Sequence, residues 1–156
     1  MRKIFVIAIV IISGLAWVPQ EKKQTKPASK SQTKTKSQPA QQNTLAAAKQ
    51  RGGTGYTTYC LACHQADGAG IPRMNPPLIK TPYVLGDKKK LIGIVLNGLN
   101  AGVEIEGETY SNPMPQQDFL KDQEIADILT YVRNSFGNKA SMVTVTEVKG
   151  VRAAKK

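Results

Sequence analysis

The hydrophobic and polar positions of this chain divide it into three parts. In residues 1–19, Met1 is followed by two basic residues, Arg2 and Lys3, and then by an almost unbroken apolar run from Ile4 to Val18. Residues 20–43 contain no hydrophobic side chain larger than that of alanine. From residue 44 onward the composition is that of a globular domain, and four segments of it show patterns or capping signals typical of helices.

The strongest helical pattern lies between Asp122 and Gly137. Asp122 is expected to cap this helix at its N-terminus, and Gly137 is expected to end it. Its apolar residues recur at helical spacing: Ile125, Ile128, Leu129, Val132 and Phe136. Asp87 is expected to cap a shorter helix, residues 88–96, which ends near Gly98.

Weaker patterns predict three further elements. Residues 45–59 are expected to form a helix with an irregular start, because each of its three internal glycines costs about 1 kcal/mol relative to alanine. Thr144 and Glu147 form a predicted capping box for a last helix that ends near Ala153. Alternating polar and apolar residues predict a small hairpin at 103–110.

The predicted domain, residues 44–156, has few large side chains for its length. It contains only seven aromatic residues, and its loops are rich in glycine and proline. We therefore expect a mostly α-helical domain with long loops, in which something other than protein side chains fills part of the core.

Charge is concentrated ahead of this domain. The chain has 22 basic and 11 acidic residues, a formal net charge of +11. Residues 1–43 hold eight basic residues and one acidic residue, whereas residues 44–156 hold fourteen and ten. Because the domain has no stripe of Lys and Arg interleaved with aromatic residues, we expect no nucleic-acid partner.

The N-terminal segments predict export. Residues 1–19 have the charged start and apolar core of a signal peptide, and a retained membrane anchor fits the same pattern. Residues 20–43 cannot bury enough apolar surface to offset their ordering entropy, so we expect a disordered linker. The domain would then lie on the periplasmic side of the membrane, either tethered or soluble.

The candidate chemistry centres on the motif Cys60-Leu61-Ala62-Cys63-His64. In an exported protein this C-x-x-C-H spacing is typical of covalent haem attachment. Two thiols three positions apart on one helical turn can each add to a vinyl group of the porphyrin, and the imidazole of His64 can then bind the iron. His64 is the only histidine of the chain, so the sixth ligand is not a second imidazole.

The residues alone leave three other interpretations of the cysteine pair open. A thioredoxin-like redox pair would require a βαβ context, which the pattern does not show. A zinc site has no convincing fourth ligand among the scattered acidic residues. A plain disulfide would leave the domain with little core.

Met114 is the favoured second axial ligand. Pro113 and Pro115 restrict its backbone, so little loop entropy is lost when the thioether binds iron. Met74 lies only ten residues after the C-x-x-C-H motif, and Met142 lies beyond the main helix. For these two methionines, gap-filling in the core is the simpler interpretation.

These motifs resemble those of class I mono-haem cytochromes c of the small bacterial type. The resemblance covers about residues 44–138. It rests on five motifs: Gly52-x-x-x-Tyr56-x-x-x-Cys60-x-x-Cys63-His64, Asp67-Gly68-Ala69-Gly70, Pro76-Pro77-Leu78, Tyr110-x-x-x-Met114-Pro115 and Ile125-Ala126-x-Ile128-Leu129-Thr130-Tyr131-Val132. It implies a cytochrome c fold of three to five helices around one covalently bound haem c, with the first and last core helices crossing near Gly52 and Tyr131. It also implies that the backbone carbonyl of Pro76 accepts a hydrogen bond from His64.

The expected function is one-electron transfer rather than enzymatic catalysis. An iron held by His64 and Met114 is poorly suited to bind oxygen or peroxide. The expected partner is a redox protein such as a dehydrogenase or terminal oxidase. Basic residues form a candidate docking face for an acidic partner: Arg73, Lys80, Lys88, Lys89 and Lys90. The alternatives are a haem-based sensor or peroxidase-like site with a displaceable Met114, and a thiol oxidoreductase without haem.

Overall fold

The computed structural model describes residues 44–100 and 102–154. The predicted export segment and linker, residues 1–43, lie outside these ranges. Within them the chain forms six helices and one two-stranded sheet: α1 (Leu45–Tyr59), α2 (Leu61–His64), α3 (Pro82–Leu85), α4 (Lys88–Asn97), β1 (Val103–Ile105), β2 (Glu108–Tyr110), α5 (Asp122–Val132) and α6 (Val145–Ala154). No helix in these ranges is long and apolar enough to cross a membrane. The mostly α-helical fold with long loops is confirmed.

Helices α1 and α5 form the most extensive packing contact between elements, and glycine makes it possible. A Cβ atom at Gly52 would overlap the backbone carbonyl of Asp127 and lie 2.8 Å from the Cβ atom of Tyr131. The crossing of the two helices near Gly52 and Tyr131 is therefore confirmed. The irregular start expected for α1 is wrong, because the helix is continuous from Leu45 to Tyr59. Close packing against α5 offsets the low helix propensity of the glycines.

Gly52→Ala is expected to destabilise the folded protein although alanine is the better helix former. The added methyl group fits only if α1 moves away from α5, and overpacking of this kind costs about 1–3 kcal/mol. Gly93→Ala in α4 is the matched control, because a Cβ atom there meets no atom closer than the amide of Asn97, at 3.9 Å. Urea titration followed by circular dichroism measures both free energies of unfolding. An unfolding midpoint of Gly52→Ala at or above that of wild type would contradict the tight crossing.

The predicted bounds of α4, the hairpin and the end of α6 are confirmed to within one residue. Side-chain caps begin the two helices. The carboxylate of Asp87 accepts hydrogen bonds from the backbone N–H groups of Lys89 and Lys90, at 2.6 and 3.1 Å. At the start of α6, the N–H of Thr144 donates to the carboxylate of Glu147 at 2.8 Å, and the N–H of Glu147 donates back to the Thr144 hydroxyl at 3.2 Å. Strands β1 and β2 pair antiparallel.

The predicted boundaries of α5 are wrong at both ends. Lys121, not Asp122, is the N-cap residue. Asp122 instead forms an ion pair with Arg152 at 2.7 Å, a contact with distant α6 that no local pattern could indicate. The helix ends at Val132, well before the predicted end. Phe136 has left the helical conformation, with φ at +56°, and its ring packs against aromatic residues of α1 and α5.

The segment 139–154, which the resemblance does not cover, belongs to the core of the domain. Helix α6 packs on α4 and α5. Val143 and Val148 are buried within the main hydrophobic cluster. Arg152 donates hydrogen bonds of 2.8 and 2.7 Å to two backbone carbonyls in the loop that precedes α5. The C-terminal helix therefore fastens the loop that connects the Met114 region to α5.

Candidate haem-binding site

A large apolar cavity lies between the helices and the hairpin. Its empty volume is about 1230 Å³, which includes the part open to solvent. Its lining comes from all helices except α6 and from the hairpin, and most of the lining residues are apolar. Ligand pockets combine such a lining with a few polar groups that orient the ligand. The cavity explains the shortage of core side chains, because the helices surround a space that a large apolar ligand would fill.

Helix α2 places the C-x-x-C-H motif at the cavity. Cys60, Cys63 and His64 all line it. Cys60 is half-buried and Cys63 is exposed, and both are free cysteines. Burial, with a smaller contribution from Cys63, raises the pKa of the Cys60 thiol to about 11, so this thiol is neutral at physiological pH. The N–H of Cys60 donates to the carbonyl of Tyr56 at 2.9 Å, which continues the path of α1 into the motif.

The imidazole of His64 is oriented by the backbone of a neighbouring loop. Its Nδ1 atom lies 2.9 Å from the carbonyl oxygen of Pro76, so the hydrogen bond implied by the resemblance is present. With Nδ1 as the donor, Nε2 is the nitrogen available to a metal ion. Burial lowers the pKa of His64, and the bond to Pro76 offsets this only in part. The ring is therefore held neutral, as a metal ligand must be.

Met114 lines the same cavity, and its backbone is held on both sides. Its N–H donates to the carbonyl of Leu99, and the N–H of Leu99 donates to the carbonyl of Met114, both at 2.9 Å. Gly98 has φ at +70°, and a Cβ atom there would overlap the carbonyl oxygen of Met114. Together with Pro113 and Pro115, these contacts fix the position of the Met114 backbone before any ligand binds.

The other two methionines of the domain lie elsewhere. Among the methionines of the described ranges, Met114 alone lines the cavity. Met74 is 47% exposed, so the core-packing interpretation is wrong for this residue. The reason is that Met74 lies in a surface turn closed by a backbone bridge between Ile71 and Asn75. Met142 is half-buried, and its carbonyl accepts a hydrogen bond from Lys88 at 3.0 Å.

Two loops that are distant in sequence close one side of the cavity, which sequence reasoning missed. The N–H of Ser111 donates to the carbonyl of Arg73, and the N–H of Asn112 donates to the carbonyl of Met74, each at 3.0 Å. The side-chain amide of Asn112 also donates to that of Asn75 at 3.3 Å. Asn75 and Asn112 both line the cavity. A separation of 37 residues leaves no local signal of this contact.

The structure disfavours two of the alternative interpretations of the cysteine pair. Within residues 44–100 and 102–154, no group of three or more His, Cys, Asp or Glu side chains is placed to hold a metal ion, which removes the support for a zinc site. The C-x-x-C sequence follows helix α1, whereas a thioredoxin-like pair would follow a strand.

The candidate docking face includes residues with other roles. Lys88 forms an ion pair with Glu147 of α6. It also donates a hydrogen bond to the carbonyl of Met142 in the loop before α6, so it helps to attach the C-terminal segment. Arg73 forms an ion pair with Glu108 of the hairpin at 3.2 Å, although its side chain is 84% exposed. The remaining basic residues of the set are exposed: Lys80, Lys89 and Lys90.

Comparison with known proteins places this fold and cavity in a family. Residues 49–136 match the cytochrome c family. The chain is 35% identical over 105 residues to cytochrome c-552 of Thermus thermophilus, a match that covers 62% of this chain and 80% of that protein. It is 32% identical over 122 residues to the cytochrome c subunit of an alcohol dehydrogenase (quinone) from Gluconacetobacter polyoxogenes, covering 73% of this chain and 25% of that subunit. It is 34% identical over 107 residues to the gluconate 2-dehydrogenase cytochrome c subunit of Pantoea cypripedii, a match that covers 66% of this chain and 24% of that subunit.

The chain belongs to the cytochrome c family, because the family match spans more than half of its length. The resemblance to small class I cytochromes c is confirmed, as is haem c as its covalently bound cofactor. The cavity fits this cofactor, since it is large, mostly apolar and lined by both cysteines and the histidine of the attachment motif. The protein therefore acts in haem-based electron transfer.

Proposed function

We propose that Cys60 and Cys63 attach the haem and that His64 and Met114 are the axial ligands of its iron. The observation that carries this proposal is that all four residues line one cavity, together with Pro76. Haem c supplies an iron atom that cycles between Fe(II) and Fe(III). The protein then carries single electrons between redox partners, and it is not itself an enzyme.

The residues around the cavity have three tasks in this proposal. Pro76 orients the imidazole of His64 through the hydrogen bond to Nδ1, which also increases the basicity of the ligand nitrogen. Leu99 holds the Met114 backbone in place, so a weak thioether ligand binds without ordering a loop. The apolar lining excludes water and keeps the local dielectric low, which disfavours the additional charge of the oxidised state.

Electrons would enter and leave at the open side of the cavity. Three of the residues that line the cavity are themselves exposed: Cys63, Tyr59 at 42% and Tyr83 at 41%. A partner docked over these exposed residues would lie close to the cavity that would hold the haem. No catalytic side chain is required, because transfer depends on distance and on the potential of the iron.

The partner that we propose is a dehydrogenase or a terminal oxidase. Support for the dehydrogenase comes from the relatives that are cytochrome c subunits of alcohol and gluconate dehydrogenases, of which this chain spans about a quarter. The exposed lysines at 80, 89 and 90 provide positive charge for an acidic partner surface. The N-terminal pattern supports a position outside the cytoplasmic membrane, with residues 1–19 acting as a signal peptide or a retained anchor.

The test is the spectrum of the protein purified from an exporting host. Haem that stays with the chain on a denaturing gel is expected, together with the far-red thioether-to-iron charge-transfer band of the oxidised protein. Rapid binding of CO by the reduced wild-type protein, without that band, would instead support a sensor or peroxidase-like site. Mass spectrometry of the mature N-terminus distinguishes a cleaved signal peptide from a retained anchor.

A further inference from the structure

Asn138 is a buried amide just after the turn that follows α5, outside the set of residues that line the cavity. The residue is only 4% exposed. Its Nδ2 atom donates to the carbonyls of Leu78 and Val132, both at 2.8 Å. Its Oδ1 atom accepts a hydrogen bond from the N–H of Lys80 at 2.7 Å. One side chain thus joins the end of α5 to two backbone groups of the loop 76–80.

The loop 76–80 carries the carbonyl group that orients the proximal imidazole. Pro76 accepts the hydrogen bond from His64 at its start, and residues 76–78 line the cavity. Lys80 at its end has φ at +51°, a conformation that few residues other than glycine adopt and that the surroundings must hold in place. Asn138 bonds to the backbone at 78 and 80, so it supports the loop two residues from the Pro76 carbonyl.

We propose that Asn138 is a positioning residue for the proximal ligand, which acts through loop 76–80 on the hydrogen bond between Pro76 and His64. This inference rests on the proposed function, because it takes His64 as an iron ligand. A firm hydrogen bond from Nδ1 gives the imidazole more negative character, strengthens the bond from Nε2 to iron and stabilises the oxidised state. When Asn138 is removed, the loop relaxes, the hydrogen bond weakens and the reduction potential rises.

If Asn138 had only a structural role, its removal would lower the stability of the protein without changing the environment of His64. The control is therefore an amide near the same end of α5 that makes no contact with loop 76–80. Asn134 provides it. It lies one turn earlier in the chain, is half-buried, and its side chain donates to the carbonyl of Thr130 at 3.0 Å, within the last turns of α5. Asn134→Ala therefore removes an amide hydrogen bond near the same end of the helix.

The test uses the haem-loaded protein with three variants: Asn138→Ala, Asn138→Ser and Asn134→Ala. The iron–histidine stretching frequency is measured by resonance Raman spectroscopy of the reduced protein in a Met114→Ala background, which frees the distal position. The reduction potential and the urea midpoint are measured with Met114 intact. Asn138→Ala is expected to lower the stretching frequency and raise the potential, with a smaller change in Asn138→Ser, which retains one short hydrogen-bonding group. Asn134→Ala is expected to shift the urea midpoint alone.

Two results would overturn the proposal. In the first, both Asn138 variants lose stability but keep the stretching frequency and potential of their parents. In the second, Asn134→Ala changes these two quantities as much as Asn138→Ala does at similar loss of stability. If Asn138→Ala does not accumulate, Asn138→Ser decides the question alone. Absence of any iron–histidine band in the parent would instead contradict the proposed ligation by His64, so the two failures are distinguishable.

Discussion

Replacing both Cys60 and Cys63 with serine is expected to abolish cooperative folding of the purified, haem-free domain, and not only its colour. The cavity would be left without its contents, and it measures about 1230 Å³ with its open part included. Its mostly apolar lining would then be exposed to water, and burial of apolar surface is the main stabilising contribution in a domain whose net stability is typically only about 5–15 kcal/mol. The measurement is thermal unfolding of the haem-free variant, followed by circular dichroism in the far and near ultraviolet.

The matched control is the single variant Cys63→Ser. It retains Cys60, the more buried of the two thiols, and is expected to keep a haem that survives a denaturing gel. The double variant is expected to show no haem on the gel, weak near-ultraviolet signals and no sharp unfolding transition. A cooperative thermal transition in the haem-free double variant would show that the protein side chains build a sufficient core by themselves.

The fold could be predicted from the sequence wherever a few neighbouring residues decide the local structure. Asp87 caps α4, and Thr144 with Glu147 caps α6, because capping depends on residues within one turn. Helix α1 shows where this reasoning fails. Its glycines lower the intrinsic propensity, yet the same glycines allow the close approach to α5 that stabilises the helix. Packing against α5 therefore decides that α1 is regular from its start, and this long-range contact cannot be read from the local sequence of α1.

Much of the candidate site was also predictable, since its chemistry lies in compact motifs. The C-x-x-C-H spacing and the prolines beside Met114 identify residues that the structure brings together at one cavity. The support for these motifs was not predictable. Leu99 holds Met114 and Asn138 holds the loop after Pro76, both over long sequence separations. An asparagine after a helix is common, and its pattern alone does not distinguish a buried support from a solvated turn.

The C-terminal segment also holds the loop between Met114 and α5. Helix α6 lies against α4 and α5, and Arg152 binds backbone carbonyls of Asp118 and Leu120 in the loop that leads from the Met114 region to α5. Because this loop has no regular secondary structure of its own, such contacts restrict its motion. The loop that carries Pro76 and the loop that follows Met114 are thus each tied to the helical core by side chains far along the chain, Asn138 and Arg152.

Met114→Ala is expected to lower the reduction potential and to open the iron to CO. A thioether favours Fe(II) over Fe(III) more than water or another hard ligand does, so its loss stabilises the oxidised state. We expect a fall on the order of 0.1–0.3 V, a substantial part of the roughly 0.8 V that axial ligands can span. Spectroelectrochemistry and CO titration of the reduced protein measure the two effects.

The matched control for this variant is Met74→Ala. Met74 is 47% exposed and does not belong to the cavity lining, so its removal should leave the potential and the far-red band unchanged. The comparison separates ligation from a general effect of losing a methionine side chain. An unchanged potential in Met114→Ala, or an equal fall in Met74→Ala, would mean that the distal ligand is not the thioether at position 114. The hydrogen bonds between Met114 and Leu99 and the two flanking prolines would then only maintain the shape of the cavity.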